Sequence, residues 1–141
     1  MAFQLEIVTP EKIVYKEDVD EIIVNTQEGQ IGVLQNHVRL LTKLIPGELT
    51  IRKGTHSQHL AVTGGFLEVG DNKATILADY AVRAEDIEVA KAQEAQRRAE
   101  HAMKEKASDK DLRIAEAELQ KAILELGVAR KRKLNTGKPT P

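Results

Sequence analysis

Hydrophobic and polar residues alternate along the first part of the chain. Phe3, Leu5 and Ile7 are separated by polar residues, and this period of two is typical of a strand with one buried face. β-branched residues dominate 21–25, which also favours a strand. Further short apolar runs occur at 13–15, 40–45, 49–52, 60–62, 66–69 and 74–77. The spacing predicts about eight to ten short strands in a β-sandwich or flattened barrel.

Glycine, proline and polar residues mark the turns between these runs. Residues 28–32 include two glycines and are predicted to form a turn. Pro46-Gly47 is a second turn signal. The polar segment 53–58 and the segment 70–73 each separate two apolar runs, so we predict two β-hairpins with their tips at these segments.

The pattern changes after residue 85. Residues 86–133 contain no proline and no aromatic residue, and alanine and charged residues fill most of the segment. This composition favours helix, because these side chains lose little conformational freedom there. The segment divides at 107–111, where Ser108 or Asp109 can cap a second helix by accepting hydrogen bonds from its free N–H groups. We therefore predict two helices joined by a short connection.

Each predicted helix carries one stripe of small or apolar residues, spaced at intervals of three and four. The stripe of the first helix is Ala92, Ala95, Ala99 and Ala102, and that of the second is Leu112, Ala115, Leu119, Ala122 and Leu126. Two such stripes favour an antiparallel helical hairpin. Each buried alanine methyl contributes only about 0.8 kcal/mol, so we expect a marginally held hairpin that detaches from the β-module and re-docks. A static hairpin is the alternative.

Charge is unevenly distributed over the 141 residues, although the net charge is only −1. Residues 1–85 carry twelve acidic and eight basic residues, whereas residues 86–141 carry ten and thirteen. The basic excess lies at Arg130, Lys131, Arg132, Lys133 and Lys138. The low net charge argues against nucleic acid as a partner, and no aromatic residue accompanies the basic cluster for base stacking. Contact with an acidic protein surface is the better interpretation, with a solvated tail as the alternative.

Composition limits the class of protein further. No segment reaches the roughly 20 apolar residues that a membrane-spanning helix needs. The first ten residues lack the basic and apolar regions of a signal peptide. The chain contains no cysteine, which excludes disulfides and thiolate metal sites.

The sequence offers few candidates for catalysis or metal binding, and no phosphate-binding glycine motif is present. Ser57 lies beside His56 and His59, but the members of a catalytic triad seldom adjoin in sequence, and two histidines alone do not complete a metal site. We predict an exposed hairpin tip there. His37 is either a packed structural residue or an interface residue, and His101 is predicted to be solvated. These observations favour a non-catalytic chain.

Four segments together resemble the epsilon subunits of bacterial F-type ATP synthases. They are EGQIGVLQNHVRLL at 28–41, IPG at 45–47, TGGFLEV at 63–69 and ILAD at 76–79. The similarity extends over essentially the whole chain, and the charged, alanine-rich helical pair follows in the expected place. An adaptor protein with a β-sandwich and a coiled-coil arm would share the architecture but would lack these segments.

The resemblance implies a fold, a role and partners. The fold is α+β: an antiparallel β-sandwich of about ten strands (1–85), then a two-helix antiparallel hairpin with a disordered basic tail (86–141). Family members are non-catalytic subunits of the central stalk, bound to the gamma subunit and the c-ring and, through them, to the alpha and beta subunits. They are peripheral to the membrane, and we expect this chain at the cytoplasmic face of a bacterial plasma membrane. In bacterial members the helical pair is either compact against the sandwich or extended along gamma, and the extended form inhibits ATP hydrolysis.

The resemblance also implies interface residues. Glu28, Gln30 and His37 would lie on the side of the sandwich that faces the c-ring and gamma. In the extended form the basic end of the second helix would meet an acidic segment of a beta subunit. That basic end consists of Arg130, Lys131, Arg132 and Lys133.

Some family members bind regulatory ATP through an Ile/Leu-Asp-x-x-Arg-Ala motif at the start of the first helix. The matching residues here, together with a further basic residue, are Ile87, Glu88, Lys91, Ala92 and Arg98. Glutamate and lysine thus replace aspartate and arginine, and lysine lacks the guanidinium fork. On the second helix Lys121 and Glu125 replace arginines, and Glu125 would repel phosphate. We therefore expect weak or absent ATP binding and no cofactor.

Overall fold

The computed structural model describes residues 2–105 and 108–137, with side chains described up to residue 131 in the last helix. Ala107 and the basic tail at 138–141, which includes Lys138, lie outside the described residues. Internal contacts divide the chain into two compact units, Met1–Arg83 and Ala84–Pro141.

The first unit consists of ten strands. They are β1 (Phe3–Val8), β2 (Ile13–Val19), β3 (Glu21–Thr26), β4 (Gly29–Val33), β5 (Leu40–Leu44), β6 (Gly47–Lys53), β7 (His56–Val62), β8 (Gly65–Gly70), β9 (Lys73–Ala78) and β10 (Ala81–Arg83). Nine of them pair in the order β10-β7-β6-β3-β5-β8-β9-β1-β2, and β4 pairs with β3. The ten-stranded β-sandwich that the sequence predicted is therefore confirmed.

One strand pair departs from the antiparallel arrangement. β1 and β9 are parallel, with Ile7 opposite Ile76, whereas the other pairs in the described part of the chain are antiparallel. Parallel neighbours need a long crossover, and here the chain between β1 and β9 forms seven further strands.

Alternation along the strands fills the core. Phe3, Leu5 and Ile7 are buried as their spacing predicted, because successive side chains of a strand point to opposite faces. All ten strands contribute buried side chains to the core. Three of them contribute one buried residue each: Val33 from β4, Leu44 from β5 and Ala81 from β10.

The turns differ from the sequence prediction at two places. The turn predicted at 28–32 lies at residues 27–28, because Gly29–Val33 pairs with β3 and so continues the sheet. The hairpin tip predicted at 53–58 comprises only residues 54–55, since Lys53 pairs with His56. In both cases polar residues of a half-exposed strand resemble loop residues in composition.

The second unit contains a 3-10 turn, Ala84–Asp86, and two helices, α1 (Val89–Lys104) and α2 (Asp109–Gly137). α1 therefore begins later than the sequence predicted, because Glu88 is still extended, with φ −87° and ψ 98°. Ser108 caps α2: its hydroxyl oxygen accepts a hydrogen bond from the N–H of Asp111 at 3.2 Å. The helices pack against each other, which confirms the predicted hairpin.

The helical stripes are confirmed except at one position. Ala92, Ala99, Ala115 and Ala122 are buried, and the predicted leucines of α2 are half-buried. Ala102 is exposed, and Met103 is half-buried in its place. At about 100° per residue, position 102 lies about 80° away from Ala92 around the helix, whereas position 103 lies about 20° away.

Candidate functional site

The β3–β4 turn presents two of the candidate interface residues. Thr26, a buried polar residue, donates its hydroxyl to the carbonyl of Gly29 at 2.7 Å and accepts the N–H of Glu28 at 3.1 Å. Gly29 has φ +122°, a conformation that favours glycine. This arrangement fixes the backbone and leaves the side chains of Glu28 and Gln30 exposed.

The segment between β4 and β5 carries His37. Its ring is half-buried, and Nδ1–H donates to the carbonyl of Val38 at 2.8 Å. Leu34 and Val38 on the same segment are 56% and 75% exposed. His37 is thus held locally, and its neighbours present apolar surface to solvent.

The β8–β9 turn holds that segment in place. Asn36, with φ +59°, donates its N–H to the side-chain oxygen of Asn72 at 2.9 Å. Arg39 forms an ion pair with Asp71 at 3.0 Å, although both side chains are largely exposed. The segment around His37 is therefore fixed to a neighbouring hairpin turn.

An exposed apolar row crosses four neighbouring strands of the sandwich. Phe66 lies opposite Leu77, Leu77 opposite Val8, and Val8 opposite Ile13. Phe66, Leu77 and Ile13 are each about half exposed, and Val8 is half-buried. We call these four residues the apolar row. Such a contiguous exposed row is typical of a protein-binding surface.

The apolar row was not predicted from the sequence. A signal was present, because the outward positions of β8 and β9 can be inferred from the buried neighbours Leu67 and Ile76. It could not be used without knowing that β1, β2, β8 and β9 are adjacent.

The candidate nucleotide-binding residues lie at the start of α1. Glu88 Oε2 and Lys91 Nζ form an ion pair at 3.0 Å, and both side chains are largely exposed. Ala92 is buried, whereas Ile87 is half-buried and Arg98 is exposed. Of the five candidate residues, the three polar ones are therefore exposed to solvent: Glu88, Lys91 and Arg98.

Glu125 on α2 has an unusual environment for a carboxylate. It is half-buried, and desolvation raises its pKa above the ordinary value, while the charge of Lys121 acts in the opposite direction. In its ionised form, this carboxylate would repel a phosphate group.

The basic end of α2 is described in part. Arg130 and Lys131 are exposed, whereas the side chains of Arg132 and Lys133 lie outside the described residues.

His56, Ser57 and His59 were predicted to lie at an exposed hairpin tip, and the structure places all three on β7. His56 and Ser57 are exposed but belong to β7. His59 is half-buried, and its Nδ1–H donates to the carboxylate of Glu48 on β6 at 2.8 Å. The pair is cross-strand, and it was not predicted because the two residues are eleven positions apart.

The described residues form neither a group of metal ligands nor a membrane-spanning helix. No group of three or more His, Asp or Glu side chains among residues 2–105 and 108–137 is arranged to hold a metal ion. No helix in this part of the chain is long and apolar enough to cross a membrane.

Solved structures share the fold. A chain in the Euglena gracilis mitochondrial ATP synthase aligns with a TM-score of 0.74 at 24% identity, covering 94% of this chain and 81% of that one. A chain of the Tetrahymena thermophila mitochondrial ATP synthase aligns with a TM-score of 0.57 at 19% identity, covering 89% and 95%.

Sequence relatives are closer. The ATP synthase epsilon chain of Herpetosiphon aurantiacus is 45% identical over 94% of this chain and 98% of its own length. That of Chloroflexus aggregans is 43% identical over 95% and 96%. Two family patterns also match, the beta-sandwich domain of the ATP synthase Delta/Epsilon chain at residues 2–84 and its long alpha-helix domain at 85–130. The chain therefore belongs to the ATP synthase delta/epsilon chain family.

Proposed function

We propose that the chain is a non-catalytic subunit of the central stalk of an F-type ATP synthase, peripheral to the cytoplasmic face of a bacterial plasma membrane, and that its helical unit restrains ATP hydrolysis. The observation that carries the proposal is the division of the chain, at a single 3-10 turn, into a β-sandwich and a separate helical hairpin. The Tetrahymena chain of similar fold comes from a structure of the central stalk and c-ring, which supports the same placement.

The apolar row is the surface that we assign to the gamma subunit. Phe66, Leu77 and Ile13 expose large side chains that gain free energy when a partner covers them, at about 25 cal/mol per Å² of apolar surface. The row lies on a rigid sheet, so binding orders few side chains and costs little conformational entropy.

The c-ring contact is assigned to the β3–β4 turn and the segment after β4. Glu28, Gln30 and His37 come from these two places, and internal hydrogen bonds fix the backbone of both. A surface whose backbone is fixed in this way suits the transmission of torque between two subunits, because it deforms little under load.

The helical unit is the proposed brake. Among the described helical residues, the buried side chains of α1 and α2 are four alanines and Val128, and the leucines of the stripe are only half-buried. Each buried alanine contributes about one methyl group, so separating the helices costs less free energy than separating a seam of buried leucines. Arg130 and Lys131 are exposed near the end of α2 and would meet an acidic segment of a beta subunit in the extended form.

Deletion of residues 86–141 tests the brake in the assembled enzyme. The expected result is an intact complex that hydrolyses ATP faster than the enzyme with the full chain. Unchanged hydrolysis in an assembled complex would refute the braking role, and loss of the gamma subunit would refute the assignment of binding to the sandwich.

A charge reversal tests the proposed contact of the basic end of α2 with a beta subunit. The double substitution Arg130→Glu/Lys131→Glu should raise ATP hydrolysis most at low ionic strength, where charge interactions are least screened. The matched control is Lys104→Glu/Lys110→Glu, which makes the same change in net charge at the other end of the hairpin and should have little effect.

A further inference from the structure

Arg83 is the last residue of β10 and the last residue of the first unit. β10 has only three residues and, within the described chain, pairs with β7 alone. Short edge strands open easily, because few hydrogen bonds hold them. Any displacement of the helical unit would pull directly on this strand.

The side chain of Arg83 reaches a distant strand. Its Nη2 donates a hydrogen bond to the carbonyl of Val14 at 2.9 Å, and its guanidinium carbon lies 5.4 Å from the centre of the Tyr15 ring. The second distance is within the range of a cation–π interaction. Val14 and Tyr15 belong to β2.

β2 and β10 are the two ends of the nine-strand order. Arg83 therefore links the first and last strands of the sheet path by a side chain where no backbone ladder joins them. Tyr15 is only 1% exposed, so its ring is a fixed surface. Arg83 is half-buried, which reduces the screening of its charge by water.

The two contacts of Arg83 require a guanidinium group. Its plane can lie over an aromatic ring while an N–H at the edge donates to a carbonyl. Lysine has a charge and donors, but its ammonium group cannot make both contacts with the same fixed geometry.

We propose that Arg83 is a clasp that keeps β10 paired with the sandwich and so fixes the point at which the helical unit leaves it. Motion of the helical unit is then confined to residues after Arg83. The clasp is a property of the sandwich; only its use during movement rests on the proposed function.

Hydrogen exchange of backbone amides in the full-length isolated chain tests the clasp. Arg83→Met keeps an unbranched side chain of similar reach but removes the charge and the donors. The amides of β10 that bond to β7 should exchange at least about tenfold faster, while those of β1 and β9 keep their native rates. Unchanged exchange in β10, or an equal increase throughout the sandwich, would overturn the proposal.

Two further variants give matched controls. Tyr15→Phe keeps the ring under Arg83 and should leave exchange in β10 at the native rate, whereas Arg83→Lys should give an intermediate increase. If Arg83→Lys exchanged at the native rate, the guanidinium geometry would be irrelevant and the clasp would be refuted. The outcome is independent of the deletion test: unchanged ATP hydrolysis there would refute the movement and leave the exchange result intact.

Discussion

Glu88 and Lys91 neutralise each other across the first turn of α1, with 3.0 Å between the carboxylate and the ammonium group. The motif to which these two residues were compared, that of the family members that bind regulatory ATP, has aspartate and arginine at the two positions. A phosphate group approaching Lys91 therefore competes with Glu88 for the ammonium donors, and an ammonium group cannot form the two parallel hydrogen bonds of a guanidinium.

ATP binding to the full-length chain should accordingly be weak. Calorimetric titration is expected to show no low-micromolar site in the unaltered chain. The double substitution Glu88→Asp/Lys91→Arg should tighten binding by about tenfold or more, or about 1.4 kcal/mol. As a control, Lys91→Gln should give no tightening. A low-micromolar dissociation constant for the unaltered chain would contradict the expectation.

Gly65 is predicted to tolerate no side chain. Its φ is +131°, and a Cβ at this position would overlap the carbonyl of Leu77 and lie 2.9 Å from Cα of Ala78. Gly65→Ala should therefore lower the free energy of unfolding by more than about 3 kcal/mol, since backbone strain and overpacking add. Chemical denaturation monitored by circular dichroism measures the loss.

Gly54 provides the comparison that separates strain from overpacking. It also has a positive φ, +62°, but a Cβ there would meet no atom within 4 Å. Gly54→Ala should cost only about 1–2 kcal/mol. Equal costs for the two substitutions would show that the close approach of Leu77 to Gly65 does not matter.

Patterns within one element were predictable from the sequence. The alternation of Phe3, Leu5 and Ile7 predicted burial because a strand has two faces, and Ser108 predicted a helix start because its oxygen accepts a backbone N–H. The helical stripes were also correct apart from Ala102. The prediction placed the stripe three residues after Ala99, at Ala102, whereas the half-buried residue is Met103, four residues after Ala99.

Relationships between distant elements were not predictable in the same way. The apolar row exists only because β1 lies parallel to β9, and nothing in the sequence of either strand specifies that neighbour. The contact between Arg83 and Val14 joins residues 69 positions apart. The interface residues came from the family resemblance, since exposed polar residues such as Gln30 carry no local signal of a partner.

Glu125 should make stability depend on pH. Burial raises its pKa in the folded chain above the ordinary value of 4.5, so the folded state binds more protons than the unfolded state between these two values. Stability therefore falls as pH rises through that window, and the full cost is present above it. Because solvent still reaches the carboxyl, we expect a cost below about 1 kcal/mol.

Glu125→Gln tests this dependence. The variant should be more stable than the unaltered chain at pH 7 and equal to it below the ordinary glutamate pKa, as measured by urea denaturation across pH. Glu118→Gln, at an exposed position of the same helix, should change stability little at either pH. A destabilised Glu125→Gln variant at pH 7 would mean that attraction to Lys121 outweighs desolvation.

Gly127 is a weak point in α2. It lies within the helix, without a positive φ, and a Cβ at this position would meet no atom within 4 Å. Glycine is therefore not required by space or by backbone conformation, and it costs about 0.8–1.0 kcal/mol relative to alanine in a helix interior. Gly127→Ala should raise the free energy of unfolding of the helical unit by about that amount. Ala117→Gly, at an exposed position of α2, should lower it similarly.

If both substitutions left urea denaturation unchanged, α2 would not unfold within the transition that is measured. If only Gly127→Ala were neutral, the helix would already be open around residue 127, and slow hydrogen exchange of the neighbouring amides would exclude that explanation.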